Sequence, residues 1–203
     1  VVKDGGTWKF LNEKWQENKS VQFDEWIGVH GEVALVVKEG KVWQIDLKSF
    51  EMQTNLYFGD YADYEVIHNE DGMLGFVGKD GTLLMKFEYI WLALEMEDTD
   101  DAFIIAEKNG KGGLYDVTGK NVVGHNYEGI LFLEKKNGKI YLSVGNEGES
   151  ALAYWDKENA KLVILSKRIY KLVTFNFKDK SFSAETMDGV FHKLDDEGNM
   201  IEE

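Results

Sequence analysis

Gly110-Lys111-Gly112-Gly113-Leu114-Tyr115-Asp116, closed by a further glycine at Gly119, is the stretch on which the fold is decided. A glycine turn opens it, a run with apolar positions follows, an acid ends that run, and a second turn glycine comes three residues on. That is how a strand held between two tight turns is written. Outward from this point the same frame recurs along the chain. It reads Gly6-Thr7-Trp8-Lys9-Phe10-Leu11-Asn12, Gly40-Lys41-Val42-Trp43-Gln44-Ile45-Asp46, and Gly72-Met73-Leu74-Gly75-Phe76-Val77-Gly78 closing at Gly81. Two more copies are Ser150-Ala151-Leu152-Ala153-Tyr154-Trp155-Asp156, with its turn shifted to Gly148, and Gly189-Val190-Phe191-His192-Lys193-Leu194-Asp195, closing at Gly198. First positions at 6, 40, 72, 110, 150 and 189 lie 34, 32, 38, 40 and 39 residues apart, about 37 on average. A fixed period of this size is the mark of a repeat architecture.

Each copy is led by a β-type run such as Val33-Ala34-Leu35-Val36-Val37, Tyr64-Glu65-Val66-Ile67, Phe103-Ile104-Ile105-Ala106 or Ile140-Tyr141-Leu142-Ser143-Val144. Further runs follow the second turn, and Asn137-Gly138 joins Ile130-Leu131-Phe132-Leu133-Glu134 to the next strand with the strongest short hairpin signal. Only Asn12 to Ser20 carries a weak helical signal. The reading is an all-β chain of about six repeats, each of three to four antiparallel strands, forming a single β-repeat domain over 1–203. Its units fall near 1–24, 25–59, 60–88, 89–128, 129–169 and 170–203. So small a sheet cannot bury both faces alone, and stacked sheets share a core. The first unit lacks a leading strand and the last ends soon after its second turn. Complementary edges favour a ring, which predicts a β-propeller of five or six blades. An open superhelical array of β-sheets is the alternative, because about 37 residues is short of the roughly 40 to 45 of a propeller blade.

The frame Gly-Lys-x-Gly-Leu-Tyr-Asp-x-x-Gly-Lys, followed by Asn126-Tyr127-Glu128-Gly129-Ile130, resembles the WG repeat of bacterial repeat proteins. The tail of that pattern returns as Phe23-Asp24-Glu25-Trp26-Ile27, Phe87-Glu88-Tyr89-Ile90 and, more loosely, Phe58-Gly59-Asp60-Tyr61. No copy keeps both signature letters: Trp8 is followed by Lys9, Gly75 and Gly113 follow Leu74 and Gly112, and Trp43 sits on the glycine position. The chain resembles a diverged member. The resemblance implies a non-enzymatic β-repeat scaffold of a kind often found on secreted or multidomain bacterial proteins, with no shared catalytic residues.

Composition narrows the function classes. With 203 residues, 43% apolar and 13% aromatic, the chain can build a core, and 23 basic against 37 acidic residues leave a net charge of −14. That charge, with Arg168 as the one arginine, argues against nucleic acid and anionic lipid as partners. The absence of cysteine excludes disulfides, thiolate nucleophiles and thiolate metal centres. No apolar run approaches the roughly 18 residues a membrane span needs, so no membrane insertion is expected. With no proline at all, turns fall to Gly, Asn, Asp and Ser. The chain opens Val1-Val2-Lys3-Asp4 without Met or a leader pattern, which leaves its compartment open between surface, secretion and cytoplasm.

Chemistry is sparse. His30, His68, His125 and His192 lie 38, 57 and 67 residues apart, outside any short metal-pair spacing, so no metal and no cofactor are expected. No nucleophile elbow occurs, and Gly110-Lys111-Gly112-Gly113 runs into a strand where a phosphate loop would open into a helix. The densest acidic stretch holds Glu95, Glu97, Asp98, Asp100 and Asp101. It reads as a solvated hairpin tip, with weak calcium binding or a handle for a basic partner as the functional alternatives. Most aromatics fall on strand positions and read as core. Trp15, at the place of a second turn glycine, and Trp26 and Trp91, at or just after tail motifs, are the exceptions. The expected function is a non-catalytic binding scaffold, not an enzyme, that presents a loop surface to a protein partner. The alternatives are an acidic inhibitor or immunity-type protein masking a basic toxin, and a glycan-binding surface module using exposed aromatics.

Overall fold

A computed structural model describes residues 1–4, 7–12, 14–53, 63–96, 99–166 and 169–201, with the backbone alone at 7, 8 and 18–20. The described residues form six small antiparallel sheets and no helix, so no helix is long and apolar enough to cross a membrane. Each sheet is a meander of strands adjacent in sequence. The first holds β1 (Val2–Asp4), β2 (Thr7–Leu11) and β3 (Glu17–Phe23), and the second β4 (Glu25–His30), β5 (Val33–Lys38), β6 (Lys41–Asp46) and β7 (Met52–Gln53). The third has three strands, β8 (Tyr64–His68), β9 (Leu74–Gly78) and β10 (Leu83–Tyr89). The fourth has β11 (Trp91–Glu95), β12 (Phe103–Lys108), β13 (Lys111–Asp116) and β14 (Asn121–Tyr127). The fifth has β15 (Gly129–Lys136), β16 (Lys139–Asn146), β17 (Glu149–Asp156) and β18 (Lys161–Ile164). The last has β19 (Leu172–Asn176), β20 (Ser181–Glu185), β21 (Phe191–Leu194) and β22 (Met200–Ile201). The weak helical signal over Asn12 to Ser20 is overturned: the described residues there are a hairpin turn and the start of β3, since Val21 and Phe23 alternate onto the core face. The looser tail copy Phe58-Gly59-Asp60-Tyr61 lies outside the described residues.

The turns carry the repeat. Glu39-Gly40, Asn109-Gly110, Asn137-Gly138 and Glu147-Gly148 have positive φ at both positions, the two-residue hairpin geometry that matches strand twist. The turn before the last strand of every sheet ends on a residue of positive φ: Trp15, Phe50, Gly81, Gly119, Ala160 and Gly198. Four of these turns are alike bond for bond. In each, the N–H of Asn12, Gly78, Asp116 or Asp195 donates to the carbonyl four residues on, at 2.9 to 3.0 Å, and that first residue's own carbonyl accepts from the left-handed residue.

By contact the chain divides into two compact units, Val1–Leu92 and Ala93–Glu203. In the first unit β5 lies between two neighbours. Ala34 and Val36 pack with Phe10, Val21 and Phe23 of the first sheet, while Leu35 and Val37 pack with Val77 and Phe87 of the third. In the second unit β16 does the same. Ile140, Leu142 and Val144 meet Phe103, Ile105 and Leu114 of the fourth sheet, and Tyr141 meets Val173, Phe175 and Phe182 of the last. Coverage on both faces explains why these strands are continuously apolar rather than alternating. Each large side chain so buried contributes roughly 1.5 to 3 kcal/mol. The tail acids join sheet to sheet. Asp24 and Glu128, between consecutive sheets, accept the N–H of Glu39 at 2.7 Å and of Glu147 at 2.5 Å, while their own N–H groups donate to Val37 and Gly145.

Candidate functional site

The strand glycines of the frame are set by close approach. A Cβ at Gly75 would stand 2.9 Å from the Phe87 ring, and one at Gly113 3.2 Å from the His125 ring and 3.0 Å from the Val123 carbonyl. In each, an aromatic ring of the next strand lies over the glycine, so the signature position serves packing. At Gly113 the ring is further held: Tyr115 Oη is 2.6 Å from His125 Nε2, and His125 Nδ1 is 2.8 Å from the Lys111 carbonyl. The carbonyl can only accept, so Nδ1 carries the proton and Nε2 takes the tyrosine's.

The loop positions differ. Trp15 has φ 60° and is 80% exposed. Its turn is built by Asn12, whose Oδ1 accepts from Lys14 N–H at 2.9 Å and Gln16 N–H at 3.0 Å. Among the described residues, five other turns of the same bonding put Gly72, Gly81, Gly119, Gly189 and Gly198 at that place. An indole there is held outward by a backbone that L side chains adopt at a cost. Trp26 is committed elsewhere. Its ring lies 5.7 Å from Phe10 and 6.2 Å from Phe23, and its Nε1 donates to Glu70 at 2.8 Å, tying three sheets together. Trp91 opens β11 and is 44% exposed.

Of the acidic stretch, Glu95 closes β11, and Asp100 and Asp101 stand between β11 and β12. Glu95 is half-buried, and desolvation raises its pKa above the ordinary carboxylate value. Asp100 is exposed, and its carbonyl accepts from Lys157 Nζ at 2.6 Å. The Asp101 carboxylate is bonded by Lys135 and by Lys157 at 3.1 Å, and these two cations of the fifth sheet hold its pKa below the usual range. Glu97 and Asp98 lie outside the described residues. Asp101 is thus a clip between sheets. Asp196 in the last sheet is another, bonded by Lys136 at 2.6 Å and Asn137 at 3.3 Å. Among the described residues no group of three or more His, Cys, Asp or Glu side chains is placed to hold a metal ion.

Two grooves that the sequence did not disclose flank the β16–β17 hairpin in the second unit. One, about 270 Å³, is walled by Ile130, Leu131 and Leu172 with Glu149, Ser150 and Lys171 at its polar side. The other, about 210 Å³, lies among Tyr127, Val144, Ala151, Ile164 and Ile169. Both fall under the roughly 300 to 1,000 Å³ of a small-molecule site. Gly145 borders both, and a Cβ there would stand 1.7 Å from the Glu149 carbonyl oxygen. In the sequence, a glycine inside a strand run is the mark of such a close backbone approach.

The structure also brings together His30 and His68, whose ring centroids are 5.3 Å apart. Their separation of 38 residues is one repeat period, which local motif spacing does not see. No family model matches the chain, and no curated protein matches it.

Proposed function

We propose that the chain is a non-catalytic β-repeat scaffold, a diverged relative of WG-repeat proteins, that presents loop residues to a protein partner. The observation that carries this reading is Trp15: an exposed indole at a left-handed turn position that glycine takes in five other described turns of the same bonding. An aromatic held outward on a hydrogen-bonded turn loses little conformational freedom on docking and buries a large apolar area, which is how interface anchors work. The alternatives are an acidic inhibitor masking a basic toxin and a glycan-binding surface module; Asp101 and Asp196, paired with lysines of the same chain, are not the acids that would serve the first. A β-propeller, with an open array as its alternative, is the arrangement of sheets carried with this proposal, and small-angle scattering separates a ring from an elongated array.

Native affinity capture with the wild-type chain and with Trp15→Gly tests the reading. A protein retained by the first and lost by the second supports it. No retained protein, equal retention by both, or turnover of a small molecule would refute it.

A further inference from the structure

We propose that His30 and His68 form a two-imidazole site for a divalent transition-metal ion such as zinc or copper(II), clipping the second sheet to the third. His30 ends β4 and His68 ends β8, both exposed, and their rings lie 5.3 Å apart at an interplanar angle of 57°. With metal–nitrogen bonds of about 2.1 Å and ring centres about 1.1 Å behind the nitrogen, two imidazoles on one tetrahedral ion have centroids about 5.2 Å apart. The rings already stand at the separation that a shared ion requires.

The hydrogen bonding of His68 suits the role as well. His68 Nδ1 is 3.1 Å from the Asn69 carbonyl oxygen. A carbonyl accepts, so Nδ1 donates and Nε2 keeps its lone pair, the outer-sphere arrangement typical of a ligating histidine. His30 leans back over Gly28, where its Nε2 is 3.9 Å from the place of a Cβ. Glu70 N lies 3.7 Å from that same point, so the His30 ring and the segment that carries His68 border one spot.

The supports are fixed. Glu70 N–H donates to the Ile27 carbonyl at 2.8 Å, Glu70 Oε2 accepts from Trp26, and Lys41 pairs with Thr82 in an antiparallel bridge between the two sheets. Imidazole is a ligand for zinc, copper and nickel, and with two protein nitrogens water completes the coordination.

Zinc titration of the full chain by calorimetry, copper(II) electron paramagnetic resonance and thermal melts, with His30→Ala, His68→Ala and the control His192→Ala, decide the matter. The expected result is one zinc per chain, at least tenfold weaker in either single variant and unchanged in the control. Copper should show two imidazole nitrogens, and zinc should raise the melting temperature of the wild type and not of His30→Ala or His68→Ala. Absence of zinc binding, binding indifferent to either histidine, or dependence on one histidine alone would overturn the site. Circular dichroism of the variants checks that each retains its sheets.

Discussion

Replacing Trp15 by glycine should stabilise the protein. A non-glycine residue in the left-handed region costs roughly 1 to 2 kcal/mol, and at φ 60° Trp15 bears that cost. Glycine removes it but loses roughly 0.5 to 1 kcal/mol through the greater freedom of the unfolded chain. With the indole 80% exposed, little packing is lost. The net expectation for Trp15→Gly is a gain of about 0.5 to 1 kcal/mol in urea unfolding, with unchanged slope, and a melting temperature higher by about 1 to 4 °C. The control runs the other way. Gly72 closes a turn of the same bonding at φ 76°, and a Cβ there meets nothing within 4 Å, so Gly72→Ala isolates the backbone cost at about 1 kcal/mol of destabilisation. A destabilised Trp15→Gly beside the expected loss in Gly72→Ala would refute the reasoning, because it would mean the indole packs into the fold.

Three further outcomes follow from particular contacts. Asp101→Asn should cost about 0.5 to 1 kcal/mol by urea unfolding, since it removes the charge that both lysines pair with and one of the two acceptor oxygens. Its folded pKa is lowered, so that stability is complete above the ordinary carboxylate value of about 3.9 and is lost as pH falls through the folded value; wild type and variant should converge in acid. Gly145→Ala should cost about 3 kcal/mol or more, read as a fall in the urea midpoint, because the methyl would stand 1.7 Å from the Glu149 carbonyl oxygen. Burial, with the nearby Asp196 charge, raises the Tyr141 phenol to about 12. An unfolded tyrosine ionises near 10, so stability should decline as pH rises between these values, and Tyr141→Phe should abolish the latest step of an ultraviolet phenol titration.

What the sequence disclosed and what it hid divide along a physical line. Turn geometry is local: Asn137-Gly138 and Asn109-Gly110 name their hairpins because positive φ at two successive residues excludes most other pairs. Strand content was legible for the same reason, from runs such as that of β16. Partnership across sheets was not. Trp26 reads as a candidate loop aromatic until Glu70, 44 residues away, takes its indole N–H. The Asp101 carboxylate belongs to an acidic loop in sequence and to Lys135 and Lys157 in space. His30 and His68 are 38 residues apart, but they stand 10 and 4 residues before their frame glycines Gly40 and Gly72, so aligning the copies does not superpose them.

The departures from the frame differ in what accompanies them, and that difference bears on function. Phe50 also occupies a left-handed turn position, but its ring packs 5.9 Å from Phe10 beside the core of the first two sheets, so burial offsets the backbone cost. Trp43 replaces a frame glycine, and its Nε1 donates to the Lys38 carbonyl at 3.1 Å while its ring joins the same core. Ala160 occupies the position with the smallest side chain after glycine. Trp15 has the strained backbone of Phe50 and a side chain as large as Trp43, yet it is 80% exposed. Under the proposed function, a residue that costs the fold and packs so little within it is the anchor for a partner, and the capture experiment therefore addresses this hairpin before any acidic loop.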